Sequence, residues 1–327
     1  MSLLTVDGLS VRFDTDDGPV HAVDRLSFSL AEREVLGVVG ESGCGKSVSF
    51  MALLRLLPET AVVSGRAEFD GVDLLTIPSS RLRRVRGRQI AFVFQEPMTS
   101  LNPAFKVGRQ IGEVLTRHLG LSRGEAERRT VELLDLVRIP APDRRAREYP
   151  HQLSGGMRQR VMIAMALACA PKILIADEPT TALDVTIQAG ILDLMRDIRE
   201  RLGTAIVLIT HNLGVVADVA DRVIVMYAGR KAEEAPVGDL FAEPQHPYTN
   251  GLLGAVPRPS VEGPRARLRE IPGRVPSLAE LPGACAFAPR CPRADERSRS
   301  QVPELREVRP NHLVACFHPG PDLAQTG

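Results

Sequence analysis

Val35-Leu36-Gly37-Val38-Val39-Gly40-Glu41-Ser42-Gly43-Cys44-Gly45-Lys46-Ser47 decides the fold. A short apolar run ends at a glycine, a glycine-rich turn follows, and an apolar helical stretch, Lys46–Leu57, opens at the lysine. Glycines let a backbone curl until successive N–H groups point at phosphate oxygens, and a helix N-terminus adds partial positive charge. Strand, glycine turn and helix together predict a phosphate loop. Gly40, Glu41, Ser42, Gly43, Cys44 and Gly45 form the cradle, Cys44 through its backbone N–H. Lys46 is expected to neutralise β and γ phosphates, and the Ser47 hydroxyl to ligate Mg²⁺.

Working outward, Leu3–Phe13 and Ala22–Leu30 alternate apolar and polar residues like half-buried strands. Ile173–Ala176 and Ala205–Ile209 read as fully buried parallel strands. Between them Ile187, Ile191, Leu194, Met195, Ile198 and Leu202 form one apolar stripe on a helix. Strand, helix, strand is the unit of an α/β sheet. Residues 105–165 are mainly helical in pattern and read as an insertion. Lys172-Ile173-Leu174-Ile175-Ala176-Asp177-Glu178 ends a buried strand on two carboxylates. Asp177 is expected to hold Mg²⁺ through water, and Glu178 to polarise an attacking water as general base.

The chain has 327 residues, 44% apolar and 25% charged, which excludes a disordered or fibrous chain. Lysine and arginine number 41 against 40 acidic residues, so no electrostatic footprint for nucleic acid exists. The longest apolar run, Val161–Ala170, is half of the ~20 residues a membrane span needs. Asp7, Arg12 and Asp14 interrupt the N-terminus too early for a secretory leader. The expected location is the cytosol, or a membrane to which something else holds the chain. Cys44 and Cys169 fall in segments expected to form the core, while Cys285, Cys291 and Cys316 cluster in the tail. An odd count without a leader points to a reducing compartment. Of 25 prolines, 14 fall in residues 240–327. That shift divides the chain into residues 1–238, rich in regular elements with a helical subdomain at about 105–165, and a loop-rich extension, 239–327.

Leu153-Ser154-Gly155-Gly156-Met157-Arg158-Gln159-Arg160 supplies a second anion cradle at a helix start. One nucleotide needs one such loop from its own chain. The second makes sense if two chains meet head to tail, each closing the other's nucleotide. This segment resembles the signature motif of the ABC-transporter ATPase family. Gln95 resembles the Q-loop glutamine, Thr181-Ala182-Leu183-Asp184 the D-loop, and His211 the switch histidine. The resemblance implies an α/β phosphate-loop NTPase core with an N-terminal antiparallel β region, a helical signature subdomain and a small loop-rich C-terminal extension. It implies ATP and Mg²⁺, with Gln95 on the metal and the segment Glu96–Gln110 facing a transmembrane partner. His211 would bond the γ-phosphate, and Leu153, Ser154, Gly155, Gly156 and Met157 would close the partner cassette's ATP. Phe13 is the candidate for stacking on adenine, with a core phenylalanine as the alternative.

His246-Pro247-Tyr248-Thr249, Leu252-Leu253 and Ile271-Pro272-Gly273 resemble the extension of oligopeptide/dipeptide import ATPases. That likeness implies a motor subunit at the cytoplasmic face of a bacterial or archaeal plasma membrane. Its implied partners are a second, non-identical ATPase, two permeases and an extracytoplasmic binding protein, with no nucleic acid. Nickel and glutathione importers share this ATPase type, and a soluble non-transport ABC ATPase is the other alternative. In this subfamily the tail often carries four cysteines that bind an iron–sulfur cluster. Cys285, Cys291 and Cys316 stand at three of those positions, with Ser298 at the other. A cluster normally takes four thiolates, so three readings stand: a cluster, three free thiols, or a zinc site completed by His312 or His318.

Overall fold

The computed structural model describes residues 2–16, 18–96, 100–181, 184–255, 271–279 and 283–321. Its strands in chain order are β1 (Ser2–Thr15), β2 (Gly18–Ala31), β3 (Val35–Val39), β4 (Ala61–Phe69), β5 (Val72–Asp73), β6 (Ile90–Val93), β7 (Ile173–Asp177) and β8 (Ala205–Thr210). β9 (Arg222–Tyr227), β10 (Arg230–Pro236), β11 (Arg306–Arg309) and β12 (His312–Val314) follow. Two compact units divide the chain. One comprises residues 1–2, 30–35 and 76–209, the other 3–29, 36–75 and 210–327.

In the first unit β6, β7 and β8 run parallel, Ile175 facing both Phe92 and Val207. Every residue of β7 and β8 is buried, as strands covered on both faces must be. Helix Val185–Leu202 joins them. Asp184 caps it by accepting the Ile187 N–H at 2.9 Å, and Gly203 ends it in the left-handed region at φ 69°. Its apolar stripe buries Ile191, Leu194, Met195 and Ile198, whereas Leu202 in the last turn is exposed. Helices Val107–Leu119, Arg123–Leu136 and Gly155–Leu167 pack on one another. The second of these starts on a capping box, Ser122 with Glu125. Cys169 is half-buried at the end of Gly155–Leu167, not in the core, because the chain turns there toward Ala170 at φ 49°.

The second unit holds an antiparallel sheet of order β2-β1-β4-β5 and, beside helix Lys46–Leu53, the ordered strands β11-β12-β10-β9-β3. β3 pairs in parallel with β9, and β9 turns back antiparallel into β10. Helix Lys46–Leu53 is one turn shorter than the apolar stretch suggests. Arg55 adopts φ 47°, and Pro58 disfavours helical backbone just before it.

Although polar in composition, Arg230-Lys-Ala-Glu-Glu-Ala-Pro forms a strand, β10, that is buried across its middle. The C-terminal hairpin is the reason. β12 pairs with β10, Val314 opposite Glu233, and covers it. Buried charge must be partnered. Lys231 bonds Glu234, which also meets Arg222 Nε at 3.0 Å. Glu233, fully buried, accepts from His312 Nε2 at 2.6 Å and from the backbone N–H groups of Gln245 (2.6 Å) and His246 (3.0 Å).

His246 in turn caps helix Pro247–Gly254, its Nδ1 accepting the Tyr248 N–H at 3.0 Å. Burial pushes this imidazole down from 6.5 to about 4, against the pull of Glu233. The charged form is therefore disfavoured in the fold, and the unfolded chain binds more protons between those values. Stability is predicted to fall as pH drops from about 6.5 toward 4. His246→Asn, which keeps a capping acceptor, should flatten that slope in urea unfolding. An unchanged slope would contradict the assignment.

Candidate functional site

In the second unit, β3 delivers the chain to Gly40 and the loop ends where helix Lys46–Leu53 begins. Two glycines are compulsory. A Cβ at Gly40 would sit 2.2 Å from the Met226 carbonyl oxygen, and one at Gly45 2.3 Å from that of Ala22. Gly45 also holds φ 95°. The loop is thus threaded between the backbones of β2 and β9. Lys46 is 5% exposed, and its ammonium donates to the carbonyls of Gly40 (2.8 Å) and Glu41 (3.0 Å). Ser42 and Gly43 are exposed at the tip, and Ser47 is half-buried in the first helical turn. Burial raises the Cys44 thiol, which suits a residue used through its backbone. Phe13 lies half-buried near the end of β1, opposite Ala61. His211 is exposed directly after β8.

The first unit groups the carboxylates. Asp177 ends β7 and is 5% exposed. Glu178 follows at φ 46°, a left-handed backbone unusual for glutamate, held because its N–H donates to Ile209 O at 2.8 Å. Glu178 Oε2 accepts from Gln95 Nε2 at 3.0 Å and from the Thr181 hydroxyl at 2.7 Å. Two residues 83 positions apart, Gln95 and Glu178, are therefore brought together. Ala182, Leu183 and positions 97–99 lie outside the described residues.

The second cradle opens helix Gly155–Leu167. Ser154 is its N-cap, accepting the Met157 N–H at 3.3 Å, and Ser154 and Gly155 are exposed. Leu153 is buried and anchors the turn. Gly156 is a close approach: its Cβ would lie 2.6 Å from Ile187 Cγ2, in the first turn of helix Val185–Leu202.

The arrangement of the tail thiols gives no support to a cluster site. Burial raises Cys285, Cys291 and Cys316, the last to about 11, with Cys316 feeling the other two. Ser298, at the third of the four cysteine positions, spends its hydroxyl on Asp295, donating to the carbonyl at 2.9 Å and accepting the N–H at 2.8 Å. His312 turns Nε2 to Glu233 and His318 turns Nε2 to Asp295. Three thiols and an occupied hydroxyl do not match the four thiolates of a cluster. Among the described residues no group of three or more His, Cys, Asp or Glu is placed to hold a metal ion.

Sequence reasoning named the loop, the carboxylates and the signature but missed two residues beside the loop, Tyr248 and Arg290. The Glu41 N–H donates to the Tyr248 hydroxyl at 2.8 Å, and Arg290 meets the Glu41 carboxylate at 2.9 Å. Neither lies in a nucleotide motif, and nothing in the spacing links positions 41 and 290.

Residues 23–181 match the family model for ABC transporters, and residues 232–297 the model for the oligopeptide/dipeptide transporter C-terminal region. A probable peptide ABC transporter ATP-binding protein of Sinorhizobium fredii is 53% identical over 96% of this chain and 94% of its own length. The oligopeptide transport ATP-binding protein of Salmonella typhimurium is 51% identical, over 98% and 95%. Among solved structures, a dimeric ATP-binding cassette bound to ADP and Pi superposes with a TM-score of 0.64 at 28% identity. It covers 72% of this chain and 98% of its own.

Gly45→Ala is expected to destabilise the chain more than Gly156→Ala in thermal unfolding. The first Cβ meets a backbone carbonyl at a left-handed position, the second a side chain that can shift. Equal losses, or the reverse order, would show that the loop is not wedged as described.

Proposed function

The chain belongs to the ABC transporter family as an ATP-hydrolysing, ATP-binding subunit of the peptide-importer branch, and from that premise we propose how it works and with what. It acts as one of two non-identical cassettes beneath two permeases, fed by an extracytoplasmic binding protein, at the cytoplasmic face of the membrane. Among the described residues no helix is long and apolar enough to cross a membrane, so attachment would come through the permeases. The cargo is a di- or oligopeptide. The domain division at residue 238 follows the same reading, with residues 239–327 as the importer-type extension.

The observation that carries the proposal is the second cradle. Ser154 and Gly155 present helix N–H groups on an exposed face, in a chain that already owns a complete phosphate loop. Each chain thereby contributes half of two shared ATP pockets, its loop to one and its signature to the other. Gly40–Ser47 binds the phosphates of the chain's own ATP, Lys46 neutralising their charge. Phe13 stacks on the base.

The donors assigned to Mg²⁺, the Ser47 hydroxyl, the Gln95 amide oxygen and the Asp177 carboxylate, are hard oxygens of the kind that ion takes. When bound it would offset phosphate charge. Glu178 takes the proton of the attacking water as that water's oxygen bonds to the γ-phosphorus and the bond to ADP breaks. Its carboxylate is oriented for this by the amide of Gln95 and the hydroxyl of Thr181. His211 bonds the γ-phosphate and aligns the water. Asp184, ahead of helix Val185–Leu202, lies in the segment that crosses toward the partner's pocket. Closure on ATP and release after hydrolysis drive the permeases.

Glu178→Gln should leave ATP binding intact and slow hydrolysis by about 10²–10⁴-fold, trapping the closed pair of cassettes. Turnover in the assembled importer and nucleotide binding are the two readouts. Lost binding, or turnover equal to wild type, would remove Glu178 from the role of base.

A further inference from the structure

The C-terminal extension reaches the phosphate loop, and it does so at one residue. Glu41 is held at each of its polar groups. Its carbonyl accepts from Lys46 within the loop (3.0 Å), while the other two groups are held by the extension. Its N–H donates to the Tyr248 hydroxyl at 2.8 Å. Its carboxylate receives a two-pronged pair from Arg290, Nη1 to Oε2 at 2.9 Å and Nη2 to Oε1 at 3.1 Å. Parallel bonds of this kind fix direction as well as distance.

Arg290 is itself immobilised. Its side chain is 5% exposed, and all five N–H donors are used. Nε donates to Pro272 O at 2.8 Å, Nη1 also to the Tyr227 hydroxyl at 3.3 Å, and Nη2 also to Ile271 O at 3.3 Å. Gly273, at φ 80°, passes close below: its Cβ would stand 3.3 Å from Arg290 Cγ. Tyr248 is fully buried, with the Tyr227 ring edge-on at 4.6 Å and Phe287 at 5.5 Å. The two groups that grip Glu41 are thus the ends of a packed aromatic and guanidinium block that ordinary side-chain motion cannot loosen.

A surface tail needs no such arrangement. Anchoring alone could use any exposed carboxylate, whereas this clamp takes the N–H and the carboxylate of a residue between Gly40 and the tip of the cradle. We propose that Arg290 and Tyr248 are positioning residues for the nucleotide, through which the C-terminal extension holds the phosphate loop in its phosphate-receiving curl. The inference rests on the loop's assigned role in binding ATP. It makes the extension part of the nucleotide site. Coupling of this kind is reciprocal, so ATP on the loop tightens the extension in return, and whatever loosens the extension weakens ATP.

The test is Mg-ATP affinity of the full chain, read with a fluorescent ATP analogue and by competition with ATP. Hydrogen bonds to charged groups are worth enough that Arg290→Met is expected to weaken binding about tenfold. Tyr248→Phe, which removes one oxygen and leaves the packing, should weaken it several-fold. Tyr248→Phe also carries the test if the methionine variant does not fold. Arg290→Lys, which keeps the charge but loses the fork, should recover only part of the loss. Arg293→Ala serves as the control. Arg293 ties the end of the extension through the carbonyls of His318, Gly320 and Pro321. It should lower thermal stability and leave ATP affinity unchanged. Wild-type affinity in both Arg290→Met and Tyr248→Phe, or an Arg293→Ala loss equal to theirs, would overturn the inference. Failure of the wild-type chain to bind ATP would instead strike at the proposed function itself.

Discussion

Backbone carbonyls on both sides of the phosphate loop set the constraint on which the second unit is built. The loop passes so near Met226 O and Ala22 O that neither Gly40 nor Gly45 can carry a side chain. Such a passage exists only while β2 and β9 stay in place, and β9 is held by β3, which pairs with it and leads directly into the loop. The curl that presents N–H groups to an anion is therefore not a local property of eight residues. Three stretches of chain fix it together.

The same unit shows how charge is made to serve packing. Glu233 sits at zero exposure because three donors converge on it, two of them backbone groups just ahead of helix Pro247–Gly254. A buried carboxylate with its full set of partners locks the segments that supply them, since moving any one strands the charge. Through that lock the C-terminal hairpin, β10 and the helix carrying Tyr248 become one block. Glu41 then ties the block to the loop. In the tail, Ser298 shares a capping box with Asp295 at the start of helix Glu296–Ser300.

In the first unit the informative feature is strain. A glutamate at φ 46° costs about 1–2 kcal/mol relative to ordinary backbone. Glu178 is kept there by a bond to β8, and the gain is direction. Two consecutive carboxylates on a regular strand would point to opposite faces. The left-handed turn instead lets Asp177 finish a buried strand while Glu178 faces the amide of Gln95. Strain of this sort collects where geometry serves chemistry.

Periodicity sufficed for β1, β3, β7, β8 and the helix between the last two, because each is encoded in one continuous stretch of chain. Local patterns carry local physics: a glycine turn, a buried run, a capped helix start. What the sequence could not disclose depends on who lies opposite. β10 is polar in composition yet buried, because the C-terminal hairpin pairs with it, and Cys169, in a segment that reads as core, stands half-buried. Nothing in their sequence positions ties Arg290 and Tyr248 to Glu41 until folding sets them against it. Burial and long-range pairing are properties of the packed chain, so only the tertiary structure could decide them.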